Sequence, residues 1–454
     1  MEWKDKRVLV VGAGISGVAA ALLAKSRGAR VCLSDAKEEK DIKCDLQPLR
    51  AAGAEVALGP QQSALLDGLD LAIVSPGVPI GIPLLEEARS RGIEVVSEIE
   101  VAYRIARAPL FAVTGTNGKT TTTMLAGALM KKRFPAVGVG GNIGTPLSAE
   151  AARIGADGCL VAEVSSYQLE GVESFRPRIA AVLNLTPDHL ARHKTMETYR
   201  RMKERIFARQ TAEDFLVLNY DDATVRDMAA RATSQVFFCS RLQALEEGAF
   251  VENGRIKLRR GGETSDVCAV REMQIKGGHN VENALAAAAM AYLAGVSPQE
   301  IASVLRAFPG VEHRIEPVAT IGGVAYYNDS KATNPESAIK ALETFDGRVV
   351  LIAGGHDKNT DLTAFMEAVR QRADALILIG AAAARFKEAA LQCGVQTVLE
   401  AGASLEEAVR LAHELARPPQ VVLLSPACAS FDMFDGFEAR GRAFKALVRQ
   451  LEQK

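Results

Sequence analysis

Short, wholly apolar runs alternate along the chain with longer stretches in which apolar residues recur at three- and four-residue spacing. The first pattern suits strands buried on both faces of a parallel sheet, and the second suits amphipathic helices packed on it. The opening segment, residues 7–35, reads as strand, Gly-rich turn, helix and strand, with further strands over 71–74 and 94–96. A second series predicts strands over 110–113, 136–139, 159–164, 179–185, 215–218 and 236–239, then a hairpin over 250–258 turning at Asn253-Gly254. An Ala-rich helix is expected over 280–293. A third series restarts over 324–327 and continues over 348–353, 375–379, 397–399 and 421–424. Strand and helix alternating in three series, with no short-period repeat or low-complexity linker, predict three α/β domains. Breaks near Arg107 and at Pro309-Gly310 place them at 1–107, 108–309 and 310–454, in keeping with a length prior of three domains of ~150 residues.

Composition narrows the class. With 48% hydrophobic and 24% charged residues the chain is of globular type, and 54 Lys+Arg against 55 Asp+Glu argues against a nucleic-acid binder or a polybasic membrane protein. Seven scattered cysteines without C-x-x-C spacing indicate neither a disulfide frame nor a zinc site, and fit a reducing cytoplasm. The N-terminus runs into a strand without a signal-peptide core. The longest apolar run, 284–296, has 13 residues, short of the ~18 of a membrane span. A soluble cytoplasmic monomer is expected.

The stretch 110–124, L-F-A-V-T-G-T-N-G-K-T-T-T-T-M, carries the plainest chemistry. An apolar strand leads into a turn opened by Gly115 and Gly118, and a helix follows from Thr120. Backbone N–H groups of such a turn and of the helix N-terminus converge on a polyphosphate, whose charge Lys119 matches and whose Mg²⁺ the Thr120 hydroxyl can hold. The strict phosphate-loop pattern has a Gly where this chain has Val113, so the loop is a variant. ATP or a similar nucleotide is the expected ligand. Near the N-terminus, Gly12-Ala13-Gly14-Ile15-Ser16-Gly17 with Asp35 beyond it forms a dinucleotide fingerprint. Its glycines admit any nucleotide diphosphate, and no hydride chemistry follows downstream.

Other candidates lie at predicted strand ends, where open α/β sheets bind ligands. Glu163 closes C-L-V-A-E and suits a second Mg²⁺ ligand more than a surface acid; for Asp188-His189 a site and an ordinary loop weigh equally. On a helix predicted over 197–208, Lys203 falls roughly 40° from Tyr199 on the apolar face. An inward lysine needs a partner, and periodicity alone favours a snorkelling side chain at the stripe edge. Asn280 and Asn283 put two amides on one helical face, fit for a base edge or for capping. His313-Arg314 suits phosphates or a hinge ion pair. Loops at 329–334, 354–358 and 425–431 together point to a small polar substrate of the third domain.

The segments T-G-T-N-G-K-T, E-V-S-S-Y-Q-L, N-L-T-P-D-H-L-A-R-H, G-G-H-N-V-E-N, E-H-R, N-D-S-K-A-T-N and S-P-A-C-A-S-F-D-M-F, in this order, resemble the Mur ligase family of ATP-dependent amino-acid ligases across all three domains, and among its members the one that adds D-glutamate. The resemblance implies a Rossmann-like N-terminal domain, a central ATPase-like parallel sheet with a phosphate loop, and a Rossmann-like C-terminal domain. It implies ATP and Mg²⁺ at two sites, and UDP-N-acetylmuramoyl-L-alanine and D-glutamate as substrates. Carried over residue by residue, it implies that Gly115, Thr116, Asn117, Gly118, Lys119, Thr120 and Thr121 cradle the phosphates. Thr120, Glu163, His189 and a carbamylated Lys203 would serve the metals, with Lys119, His189 and Lys203 in the catalytic set. Asn280, Asn283, Arg314 and Asp329 would contact adenine and ribose. Ile15, Ser16, Asp35 and Gly77 would hold the UDP moiety, with Asn142 helping to place the substrate. Thr333, Lys358, Ser430, Phe431 and Phe437 would hold D-glutamate. A folylpolyglutamate-synthetase-like ligase would lack the 1–107 domain, an NAD-dependent oxidoreductase leaves the phosphate loop unused, and a nucleotide switch leaves the third-domain loops idle.

Overall fold

A computed structural model describes residues 3–188, 190–345, 347–357 and 359–452. The chain divides into two compact units, Met1–Met273 with Val281–Phe308 and Gln274–Asn280 with Pro309–Lys454. Three α/β layers are distributed between them, two in the first unit and one in the second.

The first sheet holds β1 (Arg7–Val11), β2 (Arg30–Asp35), β3 (Glu55–Leu58), β4 (Leu71–Val74) and β5 (Glu94–Ser97). They run parallel in the order β3-β2-β1-β4-β5. Strand order reverses at β1, so a ligand crevice opens beyond the carboxyl ends of β1 and β4. Gly12 to Gly17 lie past the first of these and Ser75 to Val78 past the second. The predicted elements appear, with β3 in addition. That strand is half-buried at the sheet edge and lacks an uninterrupted apolar run.

The second sheet holds β6 (Leu110–Thr114), β7 (Val137–Gly141), β8 (Cys159–Glu163), β9 (Ile179–Val182), β10 (Phe215–Asn219), β11 (Gln235–Ser240), β12 (Gly248–Glu252), β13 (Arg255–Arg260) and β14 (Glu263–Ala269). Their order is β14-β13-β12-β11-β10-β9-β6-β8-β7, parallel from β12 to β7 and antiparallel through β12, β13 and β14. β6 therefore lies between β8 and β9, and the loops that end all three meet. The pattern missed β14, whose exposed half, E-T-S-D, is polar.

Two glutamates of the helix Glu98–Ile105 tie these layers together. Glu98 Oε1 accepts the Ser148 N–H at 2.7 Å, and Glu100 accepts the N–H groups of Glu173, Ser174 and Phe175 at 2.9, 2.9 and 3.0 Å. Burial would raise both pKa values. It does so for Glu98, whereas the donors from Ser174 and Glu173 bring Glu100 below the ordinary carboxylate value.

The second unit holds β15 (Glu316–Ile321), β16 (Val324–Asn328), β17 (Val349–Gly354), β18 (Ala373–Ile379), β19 (Val398–Glu400) and β20 (Val421–Leu424) in the order β15-β16-β20-β17-β18-β19. Only β15, antiparallel to β16, departs from parallel pairing. It was not foreseen, because Glu316 and Pro317 open a half-exposed edge strand. No helix among the described residues is long and apolar enough to cross a membrane.

Candidate active site

The loop between β6 and the helix Lys119–Met130 folds around its own lysine. Lys119 Nζ donates to the carbonyls of Gly115 at 3.0 Å and Thr116 at 2.8 Å. β9 braces the same loop from the side. Asn184 accepts the Asn117 N–H through Oδ1 at 2.8 Å and donates through Nδ2 to the Asn117 carbonyl at 3.1 Å, while its own carbonyl accepts the Thr116 N–H at 3.0 Å. The Thr116 hydroxyl donates to the Thr186 carbonyl and accepts the Thr186 N–H, both at 3.1 Å. Asn184 and Thr186 were not singled out in the sequence, although N-L-T directly follows the β9 run.

Gly118 has φ of 84°, and a Cβ there would lie 2.1 Å from Asn283 Oδ1, which accepts the Thr122 hydroxyl at 3.3 Å. Gly118→Ala thus strains the backbone and displaces Asn283. The expected result is a loss of ATP affinity of about tenfold, roughly 1.4 kcal/mol, read by calorimetric titration. Unchanged affinity would show that neither the glycine nor Asn283 matters to nucleotide binding.

Beside this loop lie one carboxylate and one lysine, both withdrawn from water. Glu163, at the end of β8, is 2% exposed; its Oε1 accepts from Asn142 Nδ2 at 2.9 Å, whereas its buried Oε2 has no hydrogen-bond partner among the described residues. An orphaned carboxylate oxygen of this kind suits a hard cation, and so does a hydroxyl such as that of Thr120 in the first turn of the helix Lys119–Met130. Lys203 is 1% exposed, which overturns the snorkelling reading. The helix carrying it is Met196–Glu204, shorter than the 197–208 predicted, and it turns Lys203 Nζ to the Gly115 carbonyl at 2.7 Å. Lys119 and Lys203 thus share one carbonyl oxygen. Burial, followed by the positive charge of Lys119, pushes the Lys203 pKa well below 10.5, against the opposing charge of Asp188. The Tyr199 ring lies 4.6 Å from the ammonium, and its hydroxyl is 3.2 Å from Thr116 Oγ1. His193 stacks on Tyr199 at 5.2 Å between ring centres and meets Ser166 Oγ through Nε2 at 2.9 Å.

At the first sheet, Asp35 braces the Gly-rich turn, accepting the Ala13 N–H at 2.8 Å and the Lys37 N–H at 2.9 Å. A Cβ on Gly17 would lie 1.9 Å from the Gly12 carbonyl oxygen, so only glycine lets this helix start close to β1. Ile15 is 67% exposed, Ser16 is half-buried and Gly77 is exposed. An apolar side chain so exposed beside polar backbone offers a flat surface to a ring.

The second unit gathers its candidates at the ends of β16 and β20. Asp329 is buried, accepts the Ser425 hydroxyl at 2.8 Å and the Ile315 N–H at 3.2 Å, and is pushed up to about 7 by burial, with Arg314 opposing. Arg314 Nε is itself buried, with no hydrogen-bond partner among the described residues. Asn280 donates from Nδ2 to the Lys276 carbonyl at 2.8 Å. Thr333 donates its N–H to the Lys331 carbonyl at 2.9 Å, and Lys331 Nζ lies 5.4 Å over the Phe437 ring. Ser430 is buried next to Phe431, which is 67% exposed. His313 is buried, with Nδ1 2.9 Å from Asn328 Nδ2. Sequence reading passed over Arg440, which donates to the carbonyls of Ala429, Ser330 and Cys428 at 3.2, 2.9 and 3.1 Å and to Ser330 Oγ at 3.0 Å. One buried guanidinium thereby fixes two strand-end loops. Arg440 lies on the buried face of the helix Phe437–Leu451, with Gly441, Phe444 and Val448. His189 and Lys358 lie outside the described residues.

Among family profiles, the Mur ligase MurD-like N-terminal domain matches residues 6–97, the Mur ligase middle domain 113–291, and the Mur ligase glutamate ligase domain 313–428. UDP-N-acetylmuramoylalanine–D-glutamate ligase of Caldanaerobacter subterraneus subsp. tengcongensis is 45% identical over 454 residues, covering 100% of both chains. The protein of the same name from Pelotomaculum thermopropionicum is 47% identical over 452 residues, covering 100% of this chain and 99% of the relative. The crystal structure of UDP-N-acetylmuramate-alanine ligase from Thermotoga maritima superposes with a TM-score of 0.60 at 20% identity, covering 99% of this chain and 100% of that one, a likeness of fold.

Proposed function

The chain belongs to the Mur ligase family, and from that membership we propose that it joins D-glutamate to UDP-N-acetylmuramoyl-L-alanine with cleavage of ATP to ADP and phosphate, in the cytoplasmic synthesis of peptidoglycan precursors. The observation that carries the chemistry is the sharing of the Gly115 carbonyl by Lys119 and Lys203, with the unpartnered oxygen of Glu163 at the end of the adjoining strand.

The three sequence domains take three tasks in this reading: 1–107 binds the UDP-sugar, 108–309 the ATP and 310–454 the amino acid. The first uses Ile15, Ser16, Asp35 and Gly77 at its switch point, and Asn142 orients the substrate from β7. The ATP phosphates displace Lys119 from its carbonyls, so that an ammonium already at the loop neutralises the incoming anion. Gly115 to Thr121 supply N–H and hydroxyl donors, and Asn283, Asn280, Arg314 and Asp329 serve adenine and ribose. Thr120, Glu163, His189 and Lys203 would hold Mg²⁺, which when bound spreads the charge of the transferring phosphoryl group.

Lys203 is the residue whose chemistry most needs explaining. Its depressed pKa leaves a neutral amine over a wider pH range than an exposed lysine has, and a neutral amine adds to carbon dioxide, giving a carbamate and releasing a proton. That modification replaces a buried cation by an anion able to face metal and phosphate. The terminal carboxylate of UDP-N-acetylmuramoyl-L-alanine then takes the γ-phosphoryl group, leaving ADP and an acyl phosphate. The amine of D-glutamate attacks the acyl carbon, phosphate leaves with the bonding pair, and the amine loses a proton to give the amide. Thr333, Lys358, Ser430, Phe431 and Phe437 hold the glutamate in this reading, with the Phe431 ring, 67% exposed, against its methylenes.

Phosphate release from ATP, measured with UDP-N-acetylmuramoyl-L-alanine and one acceptor at a time, tests this directly. D-Glutamate alone is expected to stimulate, with a product heavier by one glutamyl residue. Stimulation by L-glutamate, L-alanine or meso-diaminopimelate instead would change the acceptor, and indifference to all four would end the ligase reading.

A further inference from the structure

A guanidinium ties the turn Ser75 to Val78 to the segment that follows β9. Val78 donates its N–H to the Ser75 carbonyl at 2.9 Å, and the side chains of both residues lie where a Cβ on Gly12 would fall, at 2.8 Å. This turn therefore lines the crevice beyond β1 and carries Gly77. Arg192 Nη2 donates to the Val78 carbonyl at 3.2 Å from the short helix Leu190–His193, which follows the loop after β9.

Arg192 is also held by Glu170 and Tyr167. Its Nε donates to Glu170 Oε1 at 2.9 Å, its Nη2 meets Glu170 Oε2, and its guanidinium lies 4.3 Å over the Tyr167 ring. A planar fork paired at both carboxylate oxygens and stacked on a ring has little freedom left. From there the contacts run inward without a gap. Tyr167 and His193 are 5.5 Å apart between ring centres, His193 Nδ1 is 3.9 Å from Glu170 Oε1, and His193 stacks on Tyr199, which lies against Thr116 and Lys203.

We propose that Arg192 is a positioning residue for the sugar-nucleotide substrate: it fixes the Ser75–Val78 turn relative to the phosphate loop, so that the bound UDP-sugar presents its terminal carboxylate at Lys119 and Lys203. The inference rests on the reading of function given above. Lysine at this position keeps the charge but cannot make the fork to Glu170 and reach Val78 together. Glutamine at Glu170 keeps one acceptor and loses the charge that holds the fork.

Full-length Arg192→Met, Arg192→Lys and Glu170→Gln are compared with the parent chain in steady-state phosphate release, thermal unfolding and amide hydrogen exchange. Both Arg192 variants are expected to raise the KM for UDP-N-acetylmuramoyl-L-alanine about tenfold, as loss of a charge-assisted hydrogen bond does. KM for ATP and kcat should stay within about twofold, below the roughly 0.4 kcal/mol to which that factor corresponds. Glu170→Gln is expected to shift the same KM by a smaller factor. In the ligand-free Met variant, the amides of Gly77 and Val78 should exchange faster while those of 115–121 do not. The exchange result needs no substrate, so it judges the contact even if the D-glutamate reading fails. Restoration of the parent KM by lysine would overturn the proposal, as would unchanged exchange at Gly77 and Val78. A fall of kcat and both affinities together with the melting temperature would reduce Arg192 to a structural role.

Discussion

Lys203→Ala should lower product formation by about 10³-fold, the upper range for removing one preorganised electrostatic group from an active site, and millimolar formate or acetate should restore part of it. The cavity left by the side chain sits where the carbamate would project, and a small carboxylate can fill it with the missing charge. Lys203→Met gives the companion result. It should be as inactive as the alanine variant, without rescue because the cavity is filled, yet more stable than the unmodified enzyme by on the order of 1 kcal/mol. The gain follows from what the lysine costs. An ammonium 1% exposed has lost its hydration, and the Gly115 carbonyl it leaves behind still accepts from Lys119. Because the folded pKa is depressed, the unfolded chain holds more protons between that pKa and 10.5, and stability of the parent rises with pH across this window. The advantage of methionine should therefore be greatest at and below the folded pKa and shrink toward pH 10.5. Thermal unfolding in buffer freed of carbon dioxide reads it. Full activity of either variant would remove Lys203 from the mechanism.

Glu163→Gln should lower kcat by about 10²-fold or more, the lower range for such groups, with little change in melting temperature. Glutamine preserves an acceptor for Asn142 Nδ2 and the packing at the end of β8, so the fold has no reason to yield. The negative charge disappears from Oε2, which has no hydrogen-bond partner among the described residues. The Mg²⁺ dependence of phosphate release should accordingly move to higher concentration, while the KM for D-glutamate stays as it was. An unshifted Mg²⁺ titration would mean that Glu163 braces Asn142 and does not serve the metal.

Much of this site could be read from the chain because its parts are local. Gly115, Gly118, Lys119 and Thr120 belong to one strand-turn-helix unit whose backbone needs dictate both residue types and spacing. The same holds for Gly12, Gly14 and Gly17. The strands that were missed, β3, β14 and β15, are edge or solvent-facing elements, where half the residues are free to be polar and the apolar run disappears.

The sequence by itself determined the α/β alternation, the phosphate loop, the nucleotide turn of the first sheet and the candidate loops of the second unit, since each follows from periodicity or backbone chemistry within a few residues. Only the tertiary structure decided the state of Lys203, the orphaned oxygen of Glu163, the brace from Asn184, the buried fork of Arg440 and the reach of Arg192 to Val78. In each case the deciding quantity is burial or a contact between residues far apart in the chain. Periodicity can say which face of a helix a lysine occupies; it cannot say whether water reaches that face, and the energy of a charge depends on the water.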